Sequence, residues 1–357
     1  MAKDFIVAIE LGSSKITGIA GKKNPDGSIT VLAVAKEDSK ACMRKGVVYN
    51  IYKTAQALTN IINKLKGSLQ TDIARVYVGV GGQSLKGVKN VVVKDLPADS
   101  IVTQDIVNEL MDTNRNMKNN DYEVLDAITQ EYKVDMLDEL NPVGVQACHI
   151  EVNFLNLLCR KTFNRILNKC FDNAGIPIVE MYVTPLAMAE EILTEAEKCA
   201  GCMLVDLGAD TTTVAIYTRD ILRHLFVLPL GSNNITKDLT ALKMEEREAE
   251  AMKLKYASAY TEVADIDDSM VWAIDNNRSV NSRLFIDVVE ARVLEIIANV
   301  WYLVPTEYTD KLLGGIILTG GGSNLKNIDE AFRRHTHIDK VRIAKFLPLN
   351  ILPETAK

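Results

Sequence analysis

The chain has no apolar run approaching ~20 residues, the length a bilayer-crossing helix needs. It has no excess of positive charge either: 41 lysines and arginines stand against 47 aspartates and glutamates, a formal net charge of −6. That balance argues against nucleic acid as a partner, because a protein that grips a phosphate backbone carries a basic face. Met1-Ala-Lys-Asp leads straight into a strand pattern and leaves no room for a secretory leader. A cytoplasmic setting with the six cysteines reduced is therefore expected. Cys199-Ala-Gly-Cys202 has CxxC spacing but no second CxxC to complete a zinc set, and His335-Thr-His337 is isolated. Cys202 opens an apolar strand and is expected to be packing. What remains is an ordinary globular composition, 47% hydrophobic and 25% charged over 357 residues, long enough for two domains.

One pattern occurs twice. Ala8-Ile-Glu-Leu-Gly12 matches Leu204-Val-Asp-Leu-Gly208 position by position, and each glycine leads through hydroxyl residues into a second apolar strand. Those runs are Ser13-Ser-Lys-Ile-Thr-Gly-Ile19 and Thr211-Thr-Thr-Val-Ala-Ile-Tyr217. Aligned on them, the second turn is the longer by Ala209 and Asp210. A single hairpin of this kind is ordinary half-buried structure. Two in register imply related half-domains, each presenting a turn to a shared cleft. Converging backbone N–H groups and hydroxyls suit phosphate, and an acid at a strand end suits a hydrated Mg2+.

Around this pair the order is α/β. Phe5–Ile9, Ile16–Ala20 and Ser28–Ala35 read as strands, with Asn24-Pro-Asp-Gly27 a turn. Leu58, Ile61, Ile62 and Leu65 mark a helix over Thr54–Leu65, with Gly67 placed to end it. Arg75–Val80 is a strand before Gly81-Gly82. From Ser84 to Leu158 the pattern becomes a small α+β insert, with strands at Val88–Val93, Glu131–Asp135 and Cys148–Leu155 and a helix capped by Thr103. Asn114–Asp121 and Asn141–Gly144 read as loops. An apolar stripe from Phe163 to Ala174 forms a helix, Pro177–Val183 a strand, and Pro185 opens a helix running to about Lys198. After the central hairpin, Arg223–Pro229 and Gly231-Ser-Asn-Asn repeat the opening order. Lys243–Tyr256 is a charged helix, Tyr260–Ser282 is irregular, and Ile286–Tyr302 is a long helix. An apolar strand from Gly315 then enters Gly320-Gly321-Gly322, a junction where backbone can approach a ligand. Val341–Phe346 reads as a last strand.

In this order the segments resemble the actin-like ATPase superfamily, which includes actin, the heat-shock chaperone ATPases and the sugar kinases. Glu10–Thr17 and Asp206–Thr213 look like its two phosphate hairpins, Thr184–Ala189 its connecting helix, and Gly320–Ser323 its adenosine loop. Longer strings are similar to the FtsA family of bacterial cell-division proteins: Arg44–Ile51, Val76–Gly82, Gln130–Asp135, Asn141–Gly144 and Ala249–Tyr256. The implied fold is α/β and actin-like (ribonuclease H-like), with duplicated half-domains around a nucleotide cleft. The implied division is 1–83 with 159–190, an inserted FtsA-type unit at 84–158, 191–238 with 304–357, and a small unit at 239–303.

The resemblance implies ATP or ADP with Mg2+ as cofactors. Gly12, Ser13, Ser14 and Lys15 would hold phosphates from one side, and Gly208, Thr211 and Thr212 from the other. Glu10 and Asp206 would orient the water shell of Mg2+. Glu250 and Lys253 match the ribose contacts, and Gly320, Gly321, Gly322 and Ser323 would back the adenosine. Four departures stand out: Glu10, Thr213 and Thr184 replace the family's Asp, Asp and Glu, and Ala209-Asp210 replace two glycines. Both side chains of that pair would hinder close backbone approach. Losing the carboxylate at 184 should slow hydrolysis more than it weakens binding. No catalytic residue is assigned, and at most a weak ATPase is expected.

By the same resemblance the partners are FtsZ, further copies of the chain in filaments and other division proteins, at the cytoplasmic face of the inner membrane at the division site. FtsZ would dock within Leu239–Leu303, with Arg292 and Asn299 as candidate contacts. The family's membrane tether is a C-terminal amphipathic helix that this sequence does not contain, and the last core helix is missing as well. The terminal Leu352-Pro-Glu-Thr-Ala356 carries no signal without an apolar tail. Alternative readings are a pilus-assembly adaptor similar to PilM, a superfamily kinase, or a chaperone ATPase, the last disfavoured by the lack of a β-rich peptide-binding domain.

Overall fold

A computed structural model describes residues 5–117, 119–265, 267–344 and 350–351. Two sheets dominate it, and their strand orders are the same. In the first, Ile29–Asp38, Lys15–Lys23 and Ile6–Leu11 run antiparallel in sequence, followed by Val76–Val80 and Ile178–Val183 in parallel. In the second, Ile221–Leu228, Thr212–Thr218, Cys202–Leu207, Gly315–Thr319 and Val341–Ile343 repeat that arrangement strand for strand. The chain then returns to the first sheet, where Asn350–Ile351 pairs in parallel with Thr30 and Val31. Phe346 and the segment 352–356 lie outside the described residues.

Alternation of side chains along a strand decides what each sheet covers. In Cys202–Leu207, Met203, Val205 and Leu207 enter one core with Phe285, Val293 and Phe332, whereas Cys202 and Leu204 enter another with Ile192, Leu155 and Leu225. Cys202 is thus packing, as its strand position implied. In Ile6–Leu11 only Val7, Ile9 and Leu11 are buried, against Leu58, Ile61, Leu167 and Phe171 of two helices.

Four local readings need correction. The helix Ile51–Leu69 runs through Gly67 and ends at Gln70 in the left-handed region. Gly67 meets no neighbour that would penalise a side chain, so it is simply a tolerated glycine. The expected helix from Pro185 to Lys198 is two, Thr184–Ile192 and Glu195–Ala200. Thr194 and Glu197 form a capping box that restarts the chain, the Thr194 hydroxyl accepting from the Glu197 N–H at 3.2 Å. Asn114 belongs to the helix Gln104–Arg115 rather than to a loop; it exchanges amide hydrogen bonds of 2.7 and 2.9 Å with Asn156, and both are fully buried. The segment Tyr260–Ser282 contains a small hairpin, Val271–Ala273 with Ser279–Asn281, whose Trp272 stacks on Tyr256 at 4.5 Å.

Between the fourth and fifth strands of the first half lies an antiparallel sheet ordered Leu85–Asp95, His149–Arg160, Tyr122–Val134 and Leu137–Glu139. The helix Gln104–Arg115 packs on it through Leu110, with Thr103 capping as expected. This unit also leans on the second half. Gln130 Nε2 donates to the Leu222 carbonyl at 2.8 Å, Arg223 donates to the Gln130 carbonyl at 3.1 Å, and a side chain at Gly87 would run into the Leu225 carbonyl.

Candidate functional site

The two glycine turns come to the same cleft, which has a volume of ≈ 1040 Å³. Their geometries repeat. Gly12 N–H donates to the Lys15 carbonyl at 3.1 Å, and Gly208 N–H donates to the Thr211 carbonyl at 2.9 Å. Leu11 pairs with Ile16 and Leu207 with Thr212 in the two ladders, so four residues separate the paired positions in both hairpins. The second turn is therefore not longer than the first. Ala209 and Asp210 stand where Ser13 and Ser14 stand, and Thr212 corresponds to the buried core residue Ile16.

Each turn is held from behind by the segment that follows the third strand of its half. In the first, Ser39 Oγ donates to the Gly12 carbonyl at 2.7 Å and Ser39 N–H donates to the Ser14 carbonyl at 3.2 Å. In the second, Ser232 N–H donates to the Gly208 carbonyl at 3.0 Å and Asn233 N–H to the Ala209 carbonyl at 2.7 Å. Gly231 has to lack a side chain here, because a Cβ would meet the Ala209 carbonyl oxygen at 2.5 Å. With the carbonyls engaged from outside the cleft, the N–H groups of Ser13, Ser14, Ala209 and Asp210 make no hydrogen bond among the described residues. Turns so braced can offer those groups to an anion without rearranging.

Ser13 is itself buried, its Oγ accepting from the Gly46 N–H at 2.8 Å. Gly46 and Gly82 lie back to back with φ of +72° and +75°, and a Cβ on Gly82 would meet the Gly46 carbonyl at 2.8 Å. The Arg44-Lys-Gly string and the Val76–Gly82 string are thereby one structural unit bracing the first turn.

Glu10 and Asp206 close the inner end of the cleft, each at the tip of the first strand of its sheet. Burial, and to a lesser extent the Glu10 charge opposite, together push the Asp206 carboxyl up to about 7. Glu10 is reached from the cleft yet surrounded by protein, which raises its pKa, with Lys15 acting in the opposite direction. Two acids that oppose each other's ionisation can accept a cation or share a proton. Thr184 sits beside them, its Oγ1 2.9 Å from where a Cβ on Gly79 would lie.

At the outer end, Lys253 Nζ is buried and reaches Glu250 Oε2 at 2.8 Å, Thr236 Oγ1 at 2.9 Å and the Ser232 carbonyl at 3.2 Å. Burial would raise the Glu250 pKa, but the hydrogen bonds from Lys253 and Thr236 prevail and hold it below the usual range. Across from this pair, Gly320 has φ +83° and ψ 172°, and Gly321–Asn324 forms a short 3-10 turn. A side chain at Gly320 would overlap Asp206 Oδ1 and the Leu207 carbonyl.

A family model described as "Cell division protein FtsA" matches residues 203–352, and another, "SHS2 domain inserted in FTSA", matches 82–158. The cell division protein FtsA of Porphyromonas gingivalis is 32% identical over 333 residues, spanning 91% of this chain and 70% of that protein. The chain belongs to the FtsA family of cell division proteins. The FtsA of Escherichia coli is 25% identical over 362 residues, covering 98% of this chain and 85% of that one. Among solved structures, a PilM-PilN type IV pilus biogenesis complex aligns with TM-score 0.65 at 15% identity, covering 98% and 91%. MreB5 of Spiroplasma citri bound to ADP aligns at 0.56 and 12% identity, covering 96% and 92%. The MamK double helical filament aligns at 0.52 and 12%, covering 97% and 95%. At these identities the structural likenesses speak to fold alone, and the fold is actin-like.

Of the residues singled out from sequence, Glu10, Gly12, Ser13, Ser14, Lys15, Asp206, Gly208, Thr211, Glu250, Lys253, Gly320, Gly321 and Gly322 line the cleft. Thr212 and Ser323 do not. Thr212 points into the sheet and donates to the Leu230 carbonyl at 2.9 Å, while Ser323 donates to the Gly320 carbonyl at 2.7 Å, so both hydroxyls serve the fold. Alternation puts Thr211 and Thr213 on the open side instead. Ser232, Asn233, Asn324 and Lys326 also line the cleft and were not singled out. The position of Gly231-Ser-Asn-Asn after a third strand, matching that of Ser39, was the available signal. Arg292 is tied to Asp238 at 2.5 Å and to Glu295, and Asn299 donates to the Glu295 carbonyl of its own helix at 2.8 Å. Both side chains thus make hydrogen bonds within the protein at its surface.

Proposed function

We propose that this chain binds ATP or ADP with Mg2+ between its two glycine turns, hydrolyses it slowly at most, and acts as a nucleotide-dependent division adaptor. On this reading it polymerises and links FtsZ filaments to the inner membrane at the septum. The observation that carries the proposal is the pair of equivalent turns with uncommitted N–H groups, facing one cleft above two mutually opposed acids. The nucleotide in the MreB5 structure and the filament formed by MamK, both of this fold, support it. Gly12, Ser13, Ser14 and Lys15 with Gly208 and Thr211 would take the phosphates, Glu250 and Lys253 the ribose, and Gly320 to Gly322 the adenosine. Glu10 and Asp206 would hold water around Mg2+, which supplies charge neutralisation to the phosphates. The chain would divide as 1–83 with 159–190, 84–158, 191–238 with 304–357, and 239–303, with FtsZ docking on the last.

Thr184 has no carboxylate to orient or deprotonate an attacking water. Thr184→Glu is therefore expected to speed phosphate release by about tenfold or more, a base placed without further optimisation giving less than the roughly 10²–10⁴-fold of an evolved one, with little change in ATP affinity. Release measured under single-turnover conditions checks it; an unchanged rate would show that hydrolysis is limited elsewhere. Rapid multiple turnover by the natural chain would contradict the adaptor reading and favour a superfamily kinase. Co-sedimentation with FtsZ polymers tests the partner, and failure to pellet with them while pelleting with a pilus protein would move the reading to a PilM-like adaptor.

A further inference from the structure

Asp210 stands in the second glycine turn between two cleft-lining residues, Ala209 and Thr211, and its carboxylate is engaged away from the cleft. Oδ2 accepts from the backbone N–H of Lys45 at 3.1 Å, and Oδ1 accepts from Asn233 Nδ2 at 2.7 Å. Lys45 belongs to the first half and Asn233 to the second, so one side chain spans the mouth of the cleft. The far side is rigid. Lys45 is in the left-handed region at φ +51°, its carbonyl accepts from the Gln83 N–H at 3.0 Å, and the next residue, Gly46, is wedged against Gly82. Asn233 begins a helix whose N–H groups already hold the second turn, so the near side is equally fixed. A second cross-mouth contact, Lys40 to Glu246 at 3.6 Å, is exposed and contributes little by itself.

We propose that Asp210 is a closure latch: its carboxylate, aimed by Asn233, holds the Lys45 segment across the cleft and sets how fast bound nucleotide leaves. This rests on the nucleotide reading above and adds its regulation. Two glycines at 209 and 210 could make no such bond. A hydrogen bond to a charged group is stronger than a neutral one, enough to change an opening rate by an order of magnitude. The bland alternative, that Asp210 is only an anion repelling phosphate, predicts the opposite sign. Removing a repelling charge slows release and tightens binding, whereas removing a latch speeds release.

The test is stopped-flow release of a fluorescent ATP analogue from the whole chain, its Asp210→Ala variant and its Asn233→Ala variant. The latch predicts release about tenfold faster in Asp210→Ala and several-fold faster in Asn233→Ala, which keeps the charge but loses its aim. Unchanged or slower release in Asp210→Ala overturns it. Hydrogen exchange at the Lys45 amide, read without nucleotide, decides independently: protection lost in Asp210→Ala supports the latch, and protection retained overturns it. Should the natural chain bind no nucleotide, the nucleotide reading falls, and the exchange measurement alone judges whether Asp210 holds the two halves together. Matching melting curves exclude misfolding as the source of either change.

Discussion

Gly320→Ala is expected to abolish nucleotide binding and to cost roughly 2–5 kcal/mol of stability. The backbone at φ +83° and ψ 172° lies in a region that only glycine occupies readily. A Cβ there would also lie 2.6 Å from the Leu207 carbonyl oxygen and overlap Asp206 Oδ1. The Leu207 carbonyl cannot yield cheaply, since it is backbone at the end of the central strand of its sheet. The adjacent Gly321→Ala is the control. Gly321 has open space around its Cβ position and no positive φ, so stability should change by less than about 0.5 kcal/mol. Thermal denaturation of the pair checks the contrast; equal losses would mean that the glycine run matters for reasons other than close approach.

The second large effect concerns pH. Burial and the Glu10 charge together push Asp206 up to about 7, whereas in the unfolded chain it titrates near its ordinary value of 3.8. Between those values the folded state holds the proton and the unfolded state does not. The contribution is therefore complete at pH below about 4 and is lost as pH rises through about 7. In metal-free buffer, Asp206→Asn should change stability least relative to the natural chain near pH 4, and should already stabilise somewhat near pH 5. Near pH 8 it should stabilise by about 1–3 kcal/mol more than it does near pH 5. Denaturant melts at the two values measure this directly. A stabilisation independent of pH would show that Asp206 is ionised throughout and that some other group bears its charge. Added Mg2+ should shrink the difference in the natural chain and leave the Asn variant unmoved.

Much of the fold could be read from the amino-acid order because both sheets are built from strands whose apolar positions are unambiguous. The duplicated Glu-Leu-Gly and Asp-Leu-Gly turns placed Glu10, Gly12, Asp206 and Gly208 correctly at a common cleft. Errors arose where local chemistry admits two answers. Aligning the hydroxyl runs made the second turn look longer, whereas the ladder pairs Leu207 with Thr212 and makes the turns equal. That two-residue slip also matched Thr212 with Ser14 of the first turn, whereas the ladders place it at the position of the core residue Ile16. The Thr194-Cys199 restart was visible as a Thr-x-x-Glu signature but was overridden by the continuous helical composition around it. What sequence could not show is contact between distant segments. Gln130 against Leu222 and Asp210 against Lys45 each join residues remote in the chain, through one side chain and one backbone group. Nothing in the local pattern around any of these residues announces the partner.

The nucleotide cleft is the claim on which the rest depends, and calorimetric titration of ATP with Mg2+ into the chain tests it most directly. The account predicts saturable binding of one nucleotide per chain, retained in Thr184→Glu and lost in Gly320→Ala. No binding by the natural chain, or binding that survives Gly320→Ala undiminished, would contradict it.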